Sequence, residues 1–200
     1  MGTTAKAFVP TPAAWLFLGL AGLCLMAQAG GQSWQELLEY QRMGLEQGQL
    51  WRLFSAHLVH LGWAHALMNL LALGLLIALF GTPISPRVLV LLLAVSALAV
   101  DTGLWFLHPE ILWYVGLSGA LHGLLAGLLL LQWTIWNRRY LWLILLLSVK
   151  LVWEFVGGPL PVTAEIAGGP VVSQAHLFGA LGGTLAALAF SVMSGRTLKK

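Results

Sequence analysis

Two apolar stretches of the sequence carry polar residues that suit nucleophilic catalysis. Ser118 and His122 stand four residues apart in one stretch, and His176 follows Ala175 in another. A serine hydroxyl is a weak nucleophile until a base removes its proton, and histidine is the side chain that most often does so. These residue types predict that Ser118 attacks a carbonyl carbon while His176 takes its proton.

A third stretch carries groups suited to stabilising the product of that attack. His65 and Asn69 stand four residues apart, so a helix places them on one face. The tetrahedral oxyanion formed by a serine nucleophile needs hydrogen-bond donors. We expect these two side chains and the backbone N–H of Ser118 to supply them.

Small residues recur at every fourth position around both catalytic candidates. They form two ridges, one with Gly119, Gly123 and Gly127, the other with Ala175, Gly179, Gly183 and Ala187. Such ridges allow the backbones of membrane helices to approach closely. If the two ridges pack together, Ser118 and His176 lie at similar depth.

The elements that must hold these residues are membrane helices. Of the 200 residues, 59% are hydrophobic and 8% are charged, and the mean hydropathy is +0.86. A helix needs about 20 apolar residues to cross a bilayer. The sequence therefore predicts one all-α, polytopic membrane domain over residues 1–200, with an outer loop over 31–62 and six helices at about 12–30, 63–81, 86–107, 115–135, 139–157 and 171–193.

The basic residues indicate the orientation of these helices. One side of the membrane would carry Lys6, Arg87, Arg138, Arg139, Arg196, Lys199 and Lys200, and the other only Arg42 and Arg52. The positive-inside rule then places both termini in the cytoplasm. Because the basic residues are scattered, we do not expect binding to nucleic acid despite the net charge of +3. The run from Lys6 to Ala29 also resembles a signal peptide, which leaves cleavage as an alternative.

Four short motifs together resemble the rhomboid proteases. They are Trp51-Arg52, the run from His60 to Asn69, Gly116-Leu117-Ser118-Gly119, and Ala175-His176 followed by Gly179 and Gly183. A Gly-x-Ser-Gly motif or a glycine ridge alone is weak evidence, since each occurs in other proteins. Their order and spacing carry the resemblance, which covers about residues 50–190.

The resemblance implies a rhomboid-like bundle and a role for each matching residue. Ser118 would be the nucleophile and His176 the base, in a dyad with no acid to orient the histidine. Asn69 and His65 would stabilise the oxyanion together with Ser118. Support for the substrate or the dyad would come from Gly116, Gly119 and His122, and structural roles would fall to Trp51, Arg52, Gly179 and Gly183. No cofactor or metal is implied.

One position departs from the family pattern. The residue four positions after the serine is commonly a tyrosine whose ring stacks on the catalytic histidine, but here it is His122. The short chain and this run resemble the rhombosortase branch, bacterial rhomboids thought to process proteins with glycine-rich C-terminal tails. This implies an inner-membrane protease that opens to the periplasm and acts on transmembrane proteins in the lipid bilayer.

The remaining polar residues have simpler interpretations. Lys150 and Glu154, one helical turn apart, would neutralise each other. Asp101 would cap a helix or bond to a neighbouring one, while His57 and His108 would lie on the outer surface and His60 in a loop. Zinc at His65 and His122 is not expected, because no carboxylate or cysteine accompanies them at ligand spacing.

Two other functions remain open from the sequence. A catalytically silent relative would bind membrane helices, although such proteins normally lack the serine or the histidine. A small transporter would use Asp101, Lys150 and Glu154 with the histidines as a polar path. The transporter hypothesis leaves the Trp51-Arg52 and Gly-x-Ser-Gly motifs unexplained.

Overall fold

The fold is given by a computed structural model that describes residues 11–80, 84–136 and 140–194. Arg87 is exposed in the first turn of a long helix, at the end opposite Ser118. The other basic residues on the predicted cytoplasmic side, Lys6, Arg138, Arg139, Arg196, Lys199 and Lys200, lie outside the described residues. The cytoplasmic placement of the termini therefore stays a prediction.

The described residues are predominantly helical with almost no sheet, which confirms the predicted all-α class. In chain order the elements are α1 (Pro12–Ala29), α2 (Gly31–Leu38), β1 (Tyr40–Gln41), α3 (Arg42–Glu46), α4 (Arg52–Ser55), α5 (Trp63–Phe80), α6 (Pro86–Leu107), β2 (Trp113–Tyr114), α7 (Ser118–Trp136), α8 (Leu141–Gly157), α9 (Pro161–Ala167) and α10 (Gln174–Met193). Each of the six predicted segments overlaps one of the long helices.

Several of these helices are long and apolar enough to cross a bilayer. Among the described residues, α1, α5, α6 and α10 meet this condition, and α8 and α9 meet it only if this pair, bent by 86°, is counted as one span. The apolar part of α7, Ser118–Gln132, is shorter. The chain is therefore an integral membrane protein of the polytopic, all-α class.

The centre of the bundle is the contact between α7 and α10, with α6 packed against both. A Cβ added at Gly179 would meet the carbonyl oxygen of Gly119, and one at Gly183 would meet that of Gly123. The backbones touch at these points because neither helix has a side chain there. Leu92, Leu124 and Leu128 fill the adjoining core and are fully buried.

The outer loop, residues 31–62, is folded against the end of the bundle that carries Ser118. Its strand β1 pairs antiparallel with β2, with Tyr40 opposite Tyr114. Arg52 is buried and donates hydrogen bonds to Gln49 Oε1 and to the carbonyl oxygens of Glu36 and Glu39. These bonds hold the loop in one conformation and involve neither Ser118 nor His176.

The interpretation of His57 as an outer-surface residue is wrong. His57 is 4% exposed, and its Nε2 lies 3.3 Å from Oδ1 of Asp101, which is also buried. Asp101 therefore pairs with the outer loop rather than with a neighbouring helix. A buried carboxylate is costly without a partner, and the loop histidine stands within ion-pair distance of it.

Candidate active site

The segment before α7 places Ser118 at the first residue of that helix. Gly116 has a φ of +114°, a conformation that side chains rarely adopt, and an added Cβ would lie 2.8 Å from Cε1 of His65. The backbone N–H of Gly116 donates to the carbonyl oxygen of Ala56 at 2.9 Å. The hydroxyl of Tyr114 donates to the Gly116 carbonyl at 2.6 Å. Glycine is thus required here for both conformation and space.

His176 lies beside Ser118 at the same end of the bundle. Its Nε2 is 3.0 Å from Oγ of Ser118, and the residue is 2% exposed. Both residues stand in the first turn of their helices, α7 and α10. The close backbone contact between those helices brings the serine within reach of the histidine.

The ring of His122 covers one face of the His176 ring. The ring centroids are 4.1 Å apart and the planes differ by 19°, which is a stacked arrangement. His122 Nδ1 lies 2.8 Å from the carbonyl oxygen of Ser118, so Nδ1–H donates to that oxygen. An aromatic ring therefore stacks on His176 even though this position is not a tyrosine.

The expectation of a histidine with no acid beside it is wrong. Oε2 of Glu154 lies 2.8 Å from His176 Nδ1, and the Glu154 side chain is buried. The same oxygen lies 2.6 Å from Nζ of Lys150, so the predicted pairing of these two charges is present as well. Ser173 Oγ donates to the Glu154 carbonyl at 3.2 Å and links α8 to the start of α10.

His65 and Asn69 are both buried on α5, and the His65 ring faces the segment before Ser118. The backbone N–H of Leu61 donates to His65 Nδ1 at 3.4 Å, so the ring proton resides on Nε2. That Nε2 would lie 3.1 Å from a Cβ at Gly116, which places this N–H beside the Ser118 segment. The amide of Asn69 donates to the His65 carbonyl at 3.1 Å and keeps a second N–H free to donate.

His60 lies in the loop before α5 and supports His65. It is 1% exposed, and its ring meets the His65 ring edge to face with centroids 5.0 Å apart. Burial and the nearby His65 lower the pKa of His60 to about 3, so this side chain is neutral at physiological pH. A neutral ring packs here without adding charge to the site.

The side chains of His122, Glu154 and His176 are close enough to be considered as metal ligands. One ligand atom from each lies within 4.8 Å of the others. However, the two imidazole rings are nearly parallel, so their nitrogen lone pairs do not converge, and both nitrogens of His176 already have partners. The donor geometry fits a hydrogen-bonded catalytic group better than a tetrahedral metal site.

Two residues of this site were not assigned from the sequence. Glu154 was assigned to a pair with Lys150 or to a transport path, and not to His176, although an acid near the end of an apolar helix is itself a signal of function. No sequence pattern points to Tyr114, because its hydrogen bond to the Gly116 carbonyl depends on the path of the backbone between the two residues.

The side chains of Trp51 and Arg52 make their hydrogen bonds within the outer loop, not to Ser118 or His176. Trp51 Nε1 donates to the Leu37 carbonyl at 3.2 Å.

A serine beside a buried histidine, at one end of an apolar helical bundle, is the arrangement that an intramembrane serine hydrolase would need. A family model described as the Rhomboid domain matches residues 47–192, and the chain belongs to the rhomboid family. One relative is the protein named "Putative rhomboid protease YdcA" from Bacillus subtilis (strain 168). It is 25% identical over 175 residues, which cover 86% of this chain and 79% of that protein. Rhomboid proteases are intramembrane serine proteases that act on transmembrane substrates.

Proposed function

We propose that this chain is an active serine endopeptidase that cuts single-span membrane proteins near the outer face of the bilayer. The observation that carries the proposal is the 3.0 Å contact between Ser118 Oγ and His176 Nε2 in a buried setting. A catalytically silent helix-binding protein has no need of a nucleophile within hydrogen-bond distance of a base. Family membership supports the same reaction class.

The proposed reaction proceeds through an ester on Ser118. Oγ of Ser118 attacks the carbonyl carbon while its proton passes to Nε2 of His176. The oxyanion accepts hydrogen bonds from the backbone N–H of Ser118, from His65 and from Asn69. The protonated His176 then gives its proton to the leaving amine, and a water molecule, deprotonated by the same histidine, hydrolyses the ester.

The proposed substrates are membrane proteins with a glycine-rich tail, as the rhombosortase resemblance implies. A transmembrane helix hides its carbonyl groups in its own hydrogen bonds, so the cut site must first unwind. Glycine costs a helix about 1 kcal/mol relative to alanine and so favours opening there. In this proposal the protein lies in a bacterial inner membrane with both termini in the cytoplasm, and the Ser118 end opens to the periplasm.

A serine-reactive fluorophosphonate probe tests the proposed activity directly. We expect the purified protein in detergent to be labelled and the Ser118→Ala variant to remain unlabelled. Ser148→Ala is a matched control, because this exposed serine of α8 only donates to the Ile144 carbonyl. Labelling that persists in Ser118→Ala, or wild-type protein that is never labelled and cleaves no reporter, would refute the proposal.

A further inference from the structure

We propose that Glu154 is the third member of the catalytic group, as the carboxylate that orients His176 and compensates its charge. This inference rests on the proposed function and concerns how the base works. It assigns a positioning residue on α8 to a reaction otherwise assigned to a serine and histidine alone. Glu154 does not touch the substrate; it acts through His176.

A continuous chain of contacts leads from Lys150 to the nucleophile. Lys150 Nζ lies 2.6 Å from Glu154 Oε2, which lies 2.8 Å from His176 Nδ1. The other nitrogen of that ring, Nε2, is 3.0 Å from Ser118 Oγ. Three helices, α8, α10 and α7, thus each contribute to one line of polar atoms. Polar and charged side chains cost free energy inside a bilayer, so their presence in this line favours a functional role.

The first consequence of this geometry concerns the tautomer of His176. A carboxylate can only accept hydrogen bonds, so the ring proton must reside on Nδ1. The lone pair of Nε2 then faces Ser118 Oγ and can receive its proton. With the opposite tautomer, Nε2–H would donate to the serine and could not act as its base.

The second consequence concerns the charge that appears during attack. As the bond from Oγ to the carbonyl carbon forms, the hydroxyl proton moves to Nε2 and His176 becomes an imidazolium. Glu154 retains its negative charge and stabilises that cation through Nδ1–H. When the proton passes on to the leaving amine, His176 is neutral again.

The groups around His176 explain why the carboxylate is needed. Ser118 and His122 face the ring from α7, His65 lies on α5, and Glu154 and Lys150 lie on α8. Among these groups only Glu154 carries a negative charge. Lys150 Nζ lies 2.6 Å from that carboxylate, while His122 and His65 supply no negative charge.

The two contacts of Glu154 fall on the same oxygen, which makes Glu154→Gln a selective test. Oε2 accepts from both Lys150 and His176, whereas Oε1 has no hydrogen-bond partner among the described residues. A glutamine would place its amide oxygen where both donors converge. The variant would then keep the hydrogen bond and the tautomer but lose the charge.

We expect Glu154→Gln to lower kcat for a cleaved reporter by at least about 100-fold while KM changes by less than about threefold. The rate of fluorophosphonate labelling at Ser118 should fall in parallel, since it depends on activation of the serine and not on substrate binding. Glu165→Gln, the same change at an exposed position on α9, should leave both rates unchanged.

The variant Lys150→Met/Glu154→Gln separates catalysis from folding. Removing both charges leaves no buried ion unpaired, so thermal stability in detergent should exceed that of Glu154→Gln. We expect this double variant to be folded and still slow in both assays. A folded double variant with wild-type labelling and turnover would show that Glu154 serves only structure and would overturn the inference.

The outcomes distinguish this inference from the proposed function. If the wild type is labelled at Ser118 and Glu154→Gln is labelled equally fast, the inference fails and the protease proposal stands. If the wild type is neither labelled nor active on any reporter, both fail. Slow labelling of Glu154→Gln, together with slow labelling of a folded double variant, supports both.

Discussion

The ring of His122 is stacked on the ring of His176, with 4.1 Å between their centroids and 19° between their planes. Replacing His122 with alanine removes this contact and the hydrogen bond to the Ser118 carbonyl. Aromatic pairs contribute about 0.5–1.5 kcal/mol, so His122→Ala should slow cleavage roughly 2- to 10-fold. His122→Phe keeps the ring and should lose less. Equal rates for the two variants, measured with one reporter, would show that the stacking contributes nothing.

Ser118 and His176 should behave as a single unit in kinetics. Ser118→Ala and His176→Ala are each expected to abolish cleavage, and the double variant should be hardly slower than either one. Gel filtration and thermal melting in detergent check that all three are folded. Substantial turnover by Ser118→Ala would end the serine mechanism.

The oxyanion donors should contribute to rate without being indispensable. Asn69→Ala is expected to reduce kcat about 10- to 1000-fold, the range for loss of one donor, and His65→Ala should do the same. The measurement is kcat for a reporter under saturating conditions. If both substitutions leave kcat unchanged, α5 does not face the reacting carbonyl as proposed.

The glycine contact between α7 and α10 should be sensitive to a single methyl group. A Cβ at Gly123 would meet Ser96 Oγ and the Gly179 carbonyl oxygen, so Gly123→Ala should destabilise the protein by about 1–3 kcal/mol and lower activity. Gly22→Ala in α1 is the matched control, because nothing lies within 4 Å of the added Cβ. Thermal melting of the two variants should differ; equal melting temperatures would contradict the close contact.

Substrate choice should depend on glycine beside the membrane. We expect a reporter that ends in a glycine pair, an apolar helix and a few basic residues to be cut near the glycines. Replacing the pair with leucines should slow cutting at least about tenfold, which is roughly 1.4 kcal/mol in barrier. Mass spectrometry of the released reporter locates the cut. Equal cutting of the leucine version would reject the rhombosortase assignment and leave the broader protease proposal intact.

The features that could be predicted from the sequence are those that follow from a regular spacing of residues. Four-residue spacing predicts which side of α7 and of α10 carries small residues, and the two ridges meet in the structure through Gly119 and Gly179. The lengths of apolar runs likewise predict the long helices and the all-α class, because bilayer thickness sets both.

Contacts that depend on the relative rotation of helices could not be predicted in this way. Glu154 stands four residues after Lys150, which predicts their pairing, but its contact with His176 depends on how α8 faces α10. His57 was misplaced for a related reason: its partner Asp101 lies on α6, and the loop that carries His57 has no regular period. The pairing of β1 with β2 involves two residues on each strand, too few for a pattern.

The backbone contact between Gly123 and Gly183 has a mechanical consequence. Since no side chain separates the two helices there, no change of rotamer can alter their spacing, and the protein interior resists compression. The pair α7 and α10 therefore acts as a rigid frame for Ser118 and His176. We therefore expect a change in bilayer thickness to alter the tilt of the other helices more than the distance between Ser118 and His176.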